Sequence, residues 1–355
     1  MTAADSSAFD HLSIDHVKFF VADLAEAGEQ LRHCYGLHTL AKSADPTAAG
    51  DSSVLLGTGE VRYLLTKALI DDHPATGYVG LHGDGVADIA LRTSDVQAAF
   101  TTAVAAGARP VAPPVTREGV VTATIMGFGD VAHTFVQRLD GVPADHLPGV
   151  TPIAESRQEH TSRLREIDHF AVCLEAGQLR PTVRFYLDVL GFRSIFTEHI
   201  VVGTQAMNSE VVQSTSGKVT LTLIEPDLDR EPGQIDEFLK NHAGPGVQHI
   251  ALSTDDIVTT VGTLRTRGVE FLSTPGSYYD LLDGRLTLDR HSVTELRELD
   301  LLVDEDHDGQ LFQIFARSTH PRGTYFTEVI ERCGAKTFGS GNIKALYEAV
   351  EQERL

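Results

Sequence analysis

Three residues set in the middle of apolar strands carry the chemistry this chain offers. They are His169 in Ile167-Asp168-His169-Phe170-Ala171, His249 in Val247-Gln248-His249-Ile250-Ala251, and Glu328 in Phe326-Thr327-Glu328-Val329-Ile330. Strand alternation predicts that His169 shares a face with Ile167 and Ala171, His249 with Val247 and Ala251, and Glu328 with Phe326 and Ile330. A carboxylate among apolar side chains is costly unless it changes its pKa, finds a partner or binds a metal. Two neutral imidazoles and one carboxylate on one cation form the facial triad of non-haem Fe(II) oxygenases, with positions left open for substrate and O2. Taken singly, each residue has a plainer reading. A strand histidine among aliphatics is commonly a satisfied core residue, and the run from Glu328 to Arg332 also suits a helix surface.

An internal duplication favours the triad. Ile14-Asp15-His16-Val17 recurs as Ile167-Asp168-His169-Phe170, and both copies run through a helical pattern into Tyr35-Gly36-Leu37 or Leu190-Gly191-Phe192. Gly83-Asp84-Gly85-Val86-Ala87-Asp88-Ile89-Ala90-Leu91 recurs as Gly244-Pro245-Gly246-Val247-Gln248-His249-Ile250-Ala251-Leu252. Each copy continues through a helix whose N-cap is expected at Ser94-Asp95 or Asp255-Asp256. A strand–helix–strand–strand–strand unit thus occurs twice in each half. Paired units of this kind can curve into an open barrel lined by alternate residues. Asp88 stands in the first half where His249 stands in the second, and His16 has no evident pair of partners. His16 therefore reads as structural or surface, and chemistry is expected from the second half alone. The boundary is expected near residues 140–163, where Gly141, Pro143, Pro148, Gly149 and Pro152 break any regular pattern.

Composition sets the outer limits. The 355 residues suffice for two domains with full cores, and a net charge of -21 argues against nucleic acid and anionic membranes as partners. No apolar run approaches the roughly 20 residues of a membrane span, and Met1 to Leu12 lacks the pattern of a signal peptide. Cys34, Cys173 and Cys333, odd in number and widely spaced, suit reduced thiols in the cytoplasm.

Beyond these features, the chain resembles the 4-hydroxyphenylpyruvate dioxygenase and 4-hydroxymandelate synthase group of the vicinal-oxygen-chelate superfamily. The motifs that carry the resemblance are Gly246-Val247-Gln248-His249-Ile250-Ala251, Gly309-Gln310-Leu311-Phe312-Gln313-Ile314-Phe315 and Phe338-Gly339-Ser340-Gly341-Asn342. The resemblance implies an α+β fold of tandem βαβββ modules forming two open-barrel domains, over residues 12–142 and 163–355. The first would lack a metal site, and the second would hold Fe(II) on His169, His249 and Glu328, as the residues themselves suggest. It further implies a substrate pocket that includes Ser209, Gln234, Gln248, Gln313, Phe338 and Asn342. Without the resemblance, Gln234 reads as simple surface. Gln313 alternates with Leu311 and Phe315, so it faces a pocket or core and needs a partner.

Four departures separate the two activities of the group. The dioxygenases carry phenylalanine where this chain has Ile343 and Tyr347, and proline and asparagine where it has Thr222 and Ile224. All four changes follow the synthase pattern; neutral drift is the competing explanation. The expected reaction is oxidative decarboxylation of 4-hydroxyphenylpyruvate with O2, followed by benzylic hydroxylation to 4-hydroxymandelate. That product implies a role in antibiotic biosynthesis, by supplying hydroxyphenylglycine. Homogentisate formation by the dioxygenase is the nearest alternative. A non-catalytic binding protein of the same fold is a second, disfavoured by the intact ligand set. The segment from Lys336 to Glu351 is expected to be a glycine-hinged lid helix that keeps water from the reaction, with plain packing as the competing role. Asp304-Glu305-Asp306-His307-Asp308-Gly309 begins like a calcium loop, but Phe315 stands where the closing glutamate belongs, so a hairpin turn is expected. Assembly as a homodimer is left open.

Overall fold

The structure is a computed structural model that describes residues 8–153, 162–339 and 341–342. The first half runs through β1 (Ser13–Phe20), α1 (Leu24–Tyr35), β2 (His38–Ser43), α2 (Pro46–Ala49), β3 (Asp51–Thr58) and β4 (Val61–Ala68). It continues through α3 (Pro74–His82), β5 (Gly85–Arg92), α4 (Val96–Ala105), β6 (Pro110–Arg117), β7 (Val120–Phe128) and β8 (Val131–Arg138). A short strand, β9 (Val150–Pro152), falls between the two expected halves and pairs with β2 at the edge of this sheet. The second half comprises β10 (Leu164–Cys173), α5 (Leu179–Leu190), β11 (Arg193–Val202), β12 (Gln205–Gln213), β13 (Thr220–Pro226), α6 (Gln234–His242) and β14 (Gly246–Thr254). After these come α7 (Ile257–Thr266), α8 (Gly276–Asp280), α9 (Leu282–Arg285), α10 (Val293–Glu298), β15 (Leu302–Asp306), β16 (Gly309–Phe315) and β17 (Phe326–Cys333).

The expected unit occurs four times. Its strand orders, β6-β7-β8-β5-β1-β4-β3-β2-β9 and β11-β12-β13-β10-β14-β17-β16-β15, place the first strands of paired units side by side at the centre of each sheet. Local chemistry sets the helix limits as expected. Asp95 and Asp256 accept from backbone N–H groups in the first turns of α4 and α7. Gly36 and Gly191 close α1 and α5 in the left-handed conformation that glycine adopts without cost. The fourth unit is enlarged by α8, α9 and α10, which contribute the buried Tyr279, Leu282 and Leu296.

One apolar core runs from Val17, Phe19 and Phe135 in the first half to Phe170, Tyr186 and Phe312 in the second. Hydrogen bonds cross the same boundary: His133 Nε2 meets the Tyr186 hydroxyl at 2.8 Å, and the Arg322 guanidinium donates to the Leu81 carbonyl at 2.6 Å. Among the described residues no helix is long and apolar enough to cross a membrane. Ile343, Tyr347 and most of the expected lid segment lie outside the described residues.

Candidate metal centre

His169, His249 and Glu328 come together through the register of three neighbouring strands. Ala171 of β10 pairs with His249 of β14, and Ala251 of β14 pairs with Glu328 of β17. One ligand atom from each of the three lies within 4.8 Å of the others. Glu328 Oε2 is 3.4 Å from His169 Nε2 and 3.2 Å from His249 Nε2. All three are buried, Glu328 to 1 % exposure.

Alternation placed Glu328 correctly but misjudged one expected neighbour of each histidine, Ile167 and Val247. The β10–β14 ladder shifts register between Ile167 and His169, and again opposite His249, between Ala171 and Val172. Ile167 and Val247 therefore turn to the main core, while Ala171 joins Cys173 and Ile224 on the side of the triad. Bulges re-aim side chains next to functional sites, and their unpaired residue is invisible to a strict period of two.

Burial alone would raise the pKa of Glu328, but the His169 imidazole beside it and hydrogen bonds from both histidines bring it down to about 2. The carboxylate is thus ionised. The two imidazoles behave oppositely, although both are buried against the same carboxylate. Burial opposes the charged form of His169, yet Glu328 and Asp168 outweigh it and hold its pKa up at about 9. For His249 burial prevails and the shift is downward. Two things differ: His169 Nδ1 meets Asp168 Oδ1 at 2.8 Å, whereas that of His249 is buried without a partner, and the charge on His169 lowers His249 in turn. The negative charge of Glu328 and Asp168 that draws a proton onto His169 would equally be met by a divalent metal, which would take the place of that proton at Nε2 between the carboxylate and the two imidazoles. The donor set matches the two-histidine, one-carboxylate pattern of Fe(II).

Support extends outward from each ligand. Gln313 donates from Nε2 to Glu328 Oε1 at 2.8 Å and accepts at Oε1 from Asn342 Nδ2 at 2.8 Å. Both ends of the Gln313 amide are thus engaged by the protein itself. Phe326 stacks on His249 at 4.9 Å, and Phe338 stands edge-on to His169 at 5.1 Å. On the far wall, Ser209 of β12 pairs with Ile224 of β13, and Thr222 pairs with Ala171. Ser209, Thr222 and Ile224 are buried, and the Thr222 hydroxyl has no hydrogen-bond partner. Gln248 is buried beside His249 in the irregular part of β14. Gln234 is half-buried at the first turn of α6, whose Ile235 and Phe238 pack on the triad side of the sheet.

Sequence reasoning missed Asp168, Arg332 and Tyr278. Arg332 donates to both oxygens of Asp168 from Nε at 2.7 Å and Nη2 at 2.8 Å. The Tyr278 hydroxyl reaches Asn342 Oδ1 at 3.4 Å. A signal existed for Asp168, because the repeated motif is Ile-Asp-His and the aspartate recurs with the histidine. The acidic hairpin is a turn, as expected. Asp306 Oδ1 accepts from the Asp308 and Gly309 N–H groups, and its Oδ2 accepts from those of Lys336 and Thr337.

In the first half other residues stand at the corresponding positions. Asp88 pairs with Ala132 as His249 pairs with Phe326, so Thr134 occupies the place of Glu328. The Thr134 N–H and hydroxyl both donate to Asp88, which leaves that carboxylate satisfied without a cation. A separate cavity of about 440 Å³ lies between the halves, walled by Phe19, Leu31 and Tyr35 on one side and Arg317, Tyr325 and Thr327 on the other. No triad residue lines it, but Phe326, which stacks on His249, does.

Comparison with known proteins agrees with this arrangement. Residues 19–146 match the family described as hydroxyphenylpyruvate dioxygenase, N-terminal, and residues 166–314 match the glyoxalase/bleomycin resistance protein/dioxygenase superfamily. The 4-hydroxyphenylpyruvate dioxygenase of Dictyostelium discoideum is 35% identical over 96% of this chain and 97% of its own length. That of Neurospora crassa is 32% identical over 96% and 91%. The solved structure of a triple mutant of 4-hydroxymandelate synthase from Streptomyces coelicolor matches at a TM-score of 0.87 and 44% identity, over 97% of this chain and 99% of that one. The chain belongs to the 4-hydroxyphenylpyruvate dioxygenase family.

Proposed function

We propose that this enzyme decarboxylates 4-hydroxyphenylpyruvate oxidatively with O2 and hydroxylates its benzylic carbon, releasing CO2 and 4-hydroxymandelate. The observation that carries the reading is the convergence of His169, His249 and Glu328 in a buried site whose far wall is formed by Ser209, Thr222 and Ile224. Fe(II) held by the three would supply O2 activation and a chelation point for the 2-oxo acid.

The remaining work belongs to the chain. Glu328 contributes the negative charge that retains the cation, and Gln313 orients it. Phe326 and Phe338 flank the two imidazoles and keep water from them. The wall at Thr222 and Ile224 sets where the substrate's aryl side chain rests. A displacement of about 1 Å at the reacting carbon is worth on the order of 100-fold in rate, enough to choose between benzylic carbon and ring. The likeness to 4-hydroxymandelate synthase at 44% identity favours the benzylic product over homogentisate. Ser209, Gln234 and Gln248 are assigned to the substrate pocket on their positions, and Ile343 and Tyr347 on the sequence pattern.

The test is chromatography of the products after incubation with 4-hydroxyphenylpyruvate, Fe(II) and O2. 4-Hydroxymandelate as the main product is expected. Homogentisate as the main product overturns the assignment in favour of ring attack.

A further inference from the structure

The two halves hold the same three-residue device, and among the described residues only the copy in the second half stands behind the triad. In the second half Asp168 binds His169 Nδ1 at 2.8 Å and receives two bonds from Arg332. In the first half Asp15 binds His16 Nδ1 at 2.9 Å and receives Arg138 on both oxygens, with Arg92 Nε at 3.1 Å as well. The equivalence is one of register: Arg138 follows Thr134 on β8 as Arg332 follows Glu328 on β17. Both carboxylates are held well below the usual range: burial works against ionisation, and the histidine and arginine outweigh it. A device retained where the triad is not repeated among the described residues has a structural use, namely tying the first strand of one unit to the last strand of the next.

The second copy does something more. Arg138 spends its remaining contact on the His146 carbonyl at 3.0 Å, on the linker side. Arg332 instead sends Nη1 to the carbonyls of Thr337 at 2.6 Å and Ala335 at 3.3 Å, and its guanidinium lies over the Phe338 ring at 4.9 Å. Phe338 in turn meets His169 edge-on. One guanidinium therefore joins the carboxylate that orients a ligand imidazole to the segment that walls the site.

We propose that Asp168 and Arg332 are positioning residues that couple residues 335–338 to the imidazole of His169. Asp168 fixes the ring so that Nε2 faces Glu328, and Arg332 holds both Asp168 and the wall segment in one arrangement. The inference rests on the metal reading of His169. A carboxylate behind a ligand imidazole typically affects metal affinity tenfold to a hundredfold, so the matched pair in the first half is an internal control.

The experiment compares Asp168→Asn and Arg332→Met with Asp15→Asn and Arg138→Met in the full chain. Co(II) binding is followed by absorption, and the tryptic cut after the exposed Lys336 is followed by mass spectrometry. All four variants should lower the thermal midpoint. Only the second-half pair should weaken Co(II) binding, by about tenfold to a hundredfold, and only Arg332→Met should hasten the cut after Lys336. Arg332→Lys, which keeps a charge beside Asp168 without the fork to the carbonyls, should retain the fold yet still hasten that cut. It decides the coupling if the other variants fail to fold. Equal Co(II) affinity in Asp168→Asn and Asp15→Asn, or unchanged cleavage in both Arg332 variants, overturns the proposal. Wild-type protein that binds no Co(II) defeats the metal reading instead, and the cleavage rates then decide the coupling alone.

Discussion

Thr222 presents a buried hydroxyl without a partner on the face of the sheet that carries the triad. A buried donor left unmade costs about 1–3 kcal/mol, so such a group persists where something else uses it. Thr222→Val should leave the thermal midpoint unchanged or raise it, while kcat/KM for 4-hydroxyphenylpyruvate falls several-fold. A lowered midpoint with unchanged kinetics would make the hydroxyl structural. The triad itself was legible from apolar strands and from the duplication, because a buried ionisable group in such a strand has few explanations. Asp168 and Arg332 were not, since their partnership joins β10 to β17 and follows from register that no local pattern encodes. Gln313 was legible as an inward residue needing a partner; that the partners are Glu328 and Asn342 required the fold. At Ile343 the sequence alone speaks: Ile343→Phe should divert part of the product toward ring attack, and chromatography reads the change.

Among the elements, the segment after β17 depends on backbone as much as on side chains. Gly339 has φ +68°, and a Cβ there would stand 2.5 Å from Gln313 Oε1, the atom that accepts from Asn342. Gly339→Ala combines left-handed strain with displacement of the Gln313 amide from Glu328. It should reduce turnover at least tenfold while the thermal midpoint drops by only a few degrees. Activity near wild type would show that the Gln313 bridge does not matter to catalysis. Four βαβββ units, the caps of α4 and α7 and the glycine stops of α1 and α5 could be read from periodicity and turn residues. The register shifts in β10 and β14, the insertion of α8 to α10 and the edge strand β9 could not, because each depends on what the neighbouring strand offers.

Across the whole molecule, the halves meet through titratable groups as well as apolar ones. His82 of α3 stacks on His242 of α6 at 4.3 Å, and His82 Nδ1 meets the His242 carbonyl at 2.6 Å. Burial, reinforced by His82, His320 and Arg322 nearby, pushes the pKa of His242 down from 6.5 to about 4. The unfolded chain therefore takes up a proton near pH 6.5 that the folded protein refuses until about pH 4. This contribution to stability is complete above pH 6.5, declines as the pH falls toward about 4, and is constant below that. In thermal scans across that window His242→Gln should flatten the fall of the midpoint relative to wild type. Parallel slopes would remove His242 as its source. The packing of one half on the other left little trace in the sequence, since the stacking of His82 on His242 joins residues of two separate helices that no local pattern links.

We propose that one buried triad in the second half holds the metal that this enzyme uses with O2. The most direct measurement is bound Fe(II) per chain together with O2 uptake on adding 4-hydroxyphenylpyruvate, for wild type and for Glu328→Gln, which keeps the shape and removes the charge. One Fe(II) per chain and O2 consumed in step with substrate are expected in the wild type, and loss of both in the variant. Iron retained at full stoichiometry with normal O2 uptake in Glu328→Gln, or no uptake by iron-loaded wild type, would contradict it.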